Sequence, residues 1–140
     1  MKLNTMFAIS AIAFFTVTPP ALAHHSFAMF DSTKTITLTG TVKEFEWVNP
    51  HSWIRVLVEN AAGMPEEWAF EMGSPGQLAA GGWKKDSLKV GDVVTISARP
   101  MKDGSHGGSG GNIKNADGVC VGRCNRAADA PPADDGGRAQ

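Results

Sequence analysis

Ile36-Thr37-Leu38-Thr39-Gly40-Thr41-Val42-Lys43-Glu44-Phe45-Glu46-Trp47 is the stretch on which the fold turns. Ile36, Leu38, Gly40 and Val42 recur every second residue, which puts them on one face of an extended strand. The apolar series then resumes at Phe45 and Trp47, one residue out of phase. A slip of that kind near Lys43-Glu44, just after a glycine, is how a β-bulge reads in sequence. A bulged strand bends, and a bent first strand can belong to both halves of a curled sheet.

Working outward, Asn49-Pro50 breaks the strand, and Ser52, Ile54, Val56 and Val58 alternate with Trp53, Arg55 and Leu57 in a second. A turn through Asn60 to Pro65 leads to a third strand, in which Trp68, Phe70 and Met72 alternate with Glu67, Ala69 and Glu71. Ser74-Pro75 reads as a helix N-cap with proline at the first helical position, so a short helix is expected from Gly76 to about Ala80, ended by Gly81-Gly82. Val94, Ile96 and Ala98 give a further strand that stops at Pro100. Residues 104–111 are so rich in glycine that a mobile loop is expected there. Asn112 to Asn115 and Val119 to Val121 flank Asp117-Gly118 as a hairpin. From Asn125 the composition offers nothing to bury, and residues 125–140 are expected to be disordered.

Three strands, one short helix and two further strands give an all-β class, with a small five-stranded barrel of the OB type over residues 35–121; a β-sandwich is the alternative.

The amino-terminal end points to export. Lys2, the apolar run Met6 to Val17, Pro19-Pro20 and the Ala21-Leu22-Ala23 cleavage pattern describe a signal peptide over residues 1–23, cut after Ala23. The apolar run falls short of the roughly 20 residues of a membrane span. Periplasmic or secreted placement without stable membrane insertion is expected, followed by an arm at residues 24–34. The cut leaves 117 of 140 residues, enough for one domain. It removes Lys2 alone among the charges, which turns the formal net charge of −1 into −2. That is no footprint for nucleic acid, whose binding leans on Lys and Arg.

His24-His25-Ser26-Phe27-Ala28-Met29-Phe30-Asp31, Leu38-Thr39-Gly40-Thr41-Val42, Asn49-Pro50-His51, Trp68 with Glu71, Ser74-Pro75 with Leu78, Gly82-Trp83, and Leu88 with Gly91-Asp92 form an ordered set of blocks. In these the chain resembles an uncharacterised family of small secreted bacterial domains, from His24 to about Asp103. The resemblance implies one exported domain and carries no activity. Beyond it, the glycine-rich stretch and the two cysteines look like local additions.

The chemistry lies in the histidines. Cleavage after Ala23 would make His24 the first residue, able to chelate through its α-amine and ring together. With a further imidazole this makes a planar nitrogen set suited to Cu(II). His51, in the loop between the first two strands, is the candidate second arm; His25 stands beside the first. His106, in the loop before the last strand, is a possible additional ligand, because these two loops flank the ligand face of an OB barrel. The first strand sends its far end, not its start, toward His51, so the arm must run back alongside the barrel, pinned by Phe27, Met29 and Phe30. In the competing reading the paired histidines are an accident of the terminus, His51 caps a turn, and His106 is solvated.

Cys120 and Cys124 form an even pair for which a disulfide is expected. In a straight strand they would stand about 13 Å apart, so Gly122 must turn the chain. Trp47 and Trp53 are candidates for stacking on a peptide, protein or glycan, against a packing role. Glu66, Glu67 and Glu71 read as solvated strand positions rather than an acid/base pair. No nucleophile-elbow pattern surrounds a serine, and nothing compels an enzyme. The function expected is a periplasmic binding domain, copper the favoured metal through His24, His25 and His51. The alternative is an interaction module without metal.

Overall fold

The computed structural model describes residues 27–125. A short 3-10 turn at Phe27–Met29 opens it, followed by β1 (Ile36–Glu46), β2 (Trp53–Glu59), β3 (Pro65–Glu71), α1 (Pro75–Ala80), β4 (Val93–Pro100) and β5 (Gly107–Asn115). The strands close into a barrel in the order β1-β2-β3-β5-β4. The sandwich alternative is thereby excluded.

β1 makes the closure possible. Its first half pairs with β4, from Ile36 opposite Ala98 to Thr41 opposite Val93, and its second half pairs with β2, from Thr41 opposite Leu57 to Glu46 opposite Trp53. The register shifts between Val42 and Glu44, where the alternation slips in the sequence. The extra residue bends the strand around the core instead of letting it run flat. Val42, Ile54, Val56, Phe70, Val94, Ile96 and Ile113 are almost wholly buried inside.

The glycine-rich stretch corrects the sequence reading. It is no mobile loop: Gly107–Asn115 is the closing strand, parallel to β3 through Ala69 opposite Gly107 and antiparallel to β4. The reason is steric. A Cβ on Gly108 would stand 2.6 Å from the Arg99 carbonyl oxygen, and one on Gly111, at φ +109°, would stand 1.6 Å from that of Ser97. Neighbouring backbone passes where side chains would be, so these glycines mark close strand approach, not loose chain.

α1 covers one end of the barrel. Ser74 caps it, accepting from the Gln77 N–H while Gln77 returns a bond to the Ser74 N–H, and Leu78 is its buried residue. Asp117-Gly118 turns a short hairpin, with Asn115 donating to the Val119 carbonyl and Val121 to that of Ile113. Cys120 and Cys124 are disulfide-bonded with Cα atoms 5.9 Å apart, and Gly122 between them has φ +69°. A Cβ there would meet the Trp83 indole at 2.1 Å, so the disulfide loop lies flat on that buried ring. The tail begins later than composition suggests: Asn125 exchanges two hydrogen bonds with buried Asn112. The expected leader at residues 1–23, and the expected disorder past Asn125, fall outside the described residues.

Candidate functional site

Two grooves share a wall on the outside of the barrel. Trp53 opens β2 with its side chain on the face opposite buried Ile54, and Met29 of the amino-terminal arm lies against it. On one side of this pair is a groove of about 370 Å³ lined also by Glu46, Val48, Pro50, His51 and Glu71. On the other is a groove of about 230 Å³ lined also by Phe30, Met101, Ser105, His106 and Gly107.

His51 lines the first groove from the loop between β1 and β2. The Asn49-Pro50 peptide before it is cis. Ser52 after it is fully buried, donating its N–H to Gly73 and accepting from Met72. The His51 Nδ1 is paired with a Glu71 carboxylate oxygen, and Glu71 is only 7% exposed. The glutamate ends β3 directly across from Trp53, so the strand register delivers it under the imidazole. A histidine held at Nδ1 by a carboxylate has a fixed tautomer, the arrangement that orients histidine ligands in metal sites. The sequence reading of Glu71 as a solvated strand position is corrected here. The available signal was its place beside Met72 at the apolar end of β3.

His106 differs. It is exposed in the β4–β5 loop, its ring stacked on Trp68 at 4.7 Å between centroids, with Nε2 3.6 Å from a Glu66 oxygen. His51 and His106 thus line separate grooves, each with its own glutamate. Sequence reasoning missed both pairings, which depend on strands meeting across the sheet.

The described part of the arm is held against the end of β4. Phe30 is buried and bridges Met101, Asp31 donates its N–H to the Pro100 carbonyl, and Lys102 donates to that of Met29. Asp31 is further tied by Thr33. Its carboxylate accepts from the Thr33 hydroxyl at 2.6 Å and from the Thr33 N–H at 3.0 Å, and these bonds, helped by Lys34, lower its pKa to about 2. His24 and His25 lie outside the described residues.

Beside the first groove the charges are paired. Arg55 bonds Glu46 at 3.0 Å and approaches Glu44 and Glu67 at 3.5 Å, with the Glu46 bond the main cause of its raised pKa. Lys43 holds Glu67 and lowers that carboxylate's pKa. This network ties β1, β2 and β3 together below Trp53.

Trp53 lines both grooves, and the other three tryptophans have core or ring contacts. Trp83 is buried, Trp47 packs edge-on against Phe45 at 5.7 Å, and Trp68 stacks on Phe70 and His106. No ring contact among the described residues joins two tryptophans. Nor do three His, Cys, Asp or Glu side chains among the described residues converge as a metal-binding group. No helix among them is long and apolar enough to cross a membrane.

The model of a family of unknown function, DUF6152, matches residues 13–111. The matched span ends within the glycine-rich start of β5, and Cys120 and Cys124 lie beyond it. No curated protein matches the chain.

Proposed function

The chain belongs to the family of unknown function DUF6152, and within it we propose a small exported barrel that binds a transition metal, copper above others, through His24, His25 and His51. The reading rests on one observation: His51 is oriented by a buried glutamate in the same groove that Met29 lines. Met29 stands four residues after His25 and five after His24. At about 3.3–3.6 Å per residue, that stretch spans up to roughly 17 Å, so a leading histidine freed by cleavage after Ala23 comes within reach of the groove. The arm is pinned at Phe30 and Asp31, so the separation from the leading histidine to the groove is short.

The parts have separate duties. Glu71 holds the His51 tautomer, so that Nε2 presents its lone pair. The α-amine and ring of His24 chelate together, and the three nitrogens suit Cu(II). Trp53 and Val48 form an apolar wall that limits water.

The test is metal analysis of protein exported and processed by living cells, with intact mass on the same sample. The expected result is a mass beginning at His24 and about one equivalent of copper. Processed protein that begins at His24 and carries no copper or zinc, before or after titration, would overturn the reading.

A further inference from the structure

The second groove holds a donor set of a different kind. Met29 and Met101 both line it, together with His106 and the Trp53 ring. The two methionines are brought there by the fold: the arm bridges the end of β4 through Phe30 and Met101, while Lys102 fixes the Met29 carbonyl. The Met101 side chain lies over Gly107, where a Cβ would stand 3.3 Å from its Cγ. A glycine at that position leaves the thioether room beside His106, the residue just before it. Met29 is 42% exposed, so its thioether is accessible from solvent. The Nδ1 of His106 makes no hydrogen bond among the described residues, its Nε2 facing Glu66.

Two thioethers and one imidazole in a mostly apolar groove are soft, neutral donors. Such a set favours soft Cu(I) over Cu(II), which prefers nitrogen and oxygen ligands. We propose that Met29, Met101 and His106 form a binding site for Cu(I), distinct from the His51 groove and sharing with it the Met29–Trp53 wall.

Ag(I), a redox-inert ion of the same charge and softness, is the probe. The protein, beginning at His24 and carrying 13C-methyl methionine, is titrated with Ag(I) and followed by NMR. The methyls of Met29 and Met101 are expected to shift together and saturate at one equivalent. Met64, exposed in the β2–β3 turn at the far end of that hairpin, should stay in place. The double variant Met29→Leu with Met101→Leu keeps the apolar volume and should bind Ag(I) at least 100-fold more weakly, with unchanged melting. Cu(II) binding by the same variant separates the two sites: it persists if the His51 site stands, whatever happens to Ag(I). No saturable Ag(I) binding overturns the proposal, as does binding that leaves both methyls unmoved or survives the double substitution.

Discussion

His51 and His106 each sit beside a glutamate, yet the fold treats them differently. His51 is half-buried over a carboxylate that is itself buried, so its ring has one orientation and one nitrogen left to offer. His106 lies in the open, stacked on Trp68, with its glutamate partly exposed and 3.6 Å away. The difference is one of strand register. Glu71 ends β3 opposite Trp53, next to where His51 enters β2, whereas Glu66 faces His106 from within the same strand across a loop. Burial of the partner, and not its mere presence, separates a preorganised ligand from a surface pair.

The largest effect comes from breaking the frame that holds the two apart. Gly111→Ala puts a Cβ 1.6 Å from the Ser97 oxygen at a φ that side chains avoid, so β5 cannot close against β4. The variant is expected to recover little folded protein, with both grooves lost, as circular dichroism will record. Gly104→Ala, also at positive φ but in open space, should cost only about 1–2 kcal/mol by denaturant titration.

A smaller change sharpens the comparison directly. Glu71→Gln keeps the shape and removes the charge behind His51, and Cu(II) affinity is expected to fall about 10–100-fold. Glu66→Gln should leave it within about threefold. Equal losses in the two variants, measured by competition with a chelator, would mean that the buried partner has no special role.

The least effect lies in the arm, which serves both grooves through Met29. The Asp31 carboxylate is held at about 2, below its ordinary 3.8, so the contribution of its bonds to Thr33 is fully present above about pH 4 and is lost as pH falls through about 2. An NMR titration of the Asp31 carboxyl carbon should give that midpoint. Thr33→Val should return it toward the ordinary value.

Much of the barrel was legible because β1, β2 and β4 are built from what their side chains bury. Alternation in β1, the slip at Lys43-Glu44 and the Ser74-Pro75 cap all have local causes and local signatures. The first half of β5 was not legible, since it is defined by side chains it lacks. Gly108 and Gly111 are required by carbonyls of Arg99 and Ser97 on the preceding strand, and single-sequence composition cannot tell such glycines from a linker. The site divides in the same way. The place of His51 in the loop between β1 and β2 was readable from the strand pattern, while Glu71, Met101 and the Trp68–His106 stack depend on cross-strand register.

Cu(II) titration of protein beginning at His24, read by electron paramagnetic resonance, tests the central claim most directly. One site with nitrogen couplings is predicted, lost both in His51→Ala and when a single residue is added ahead of His24, and kept in His106→Ala. A spectrum that is the same with and without His51, or with a blocked amine, would contradict a metal held jointly by the leading histidine and the loop between β1 and β2.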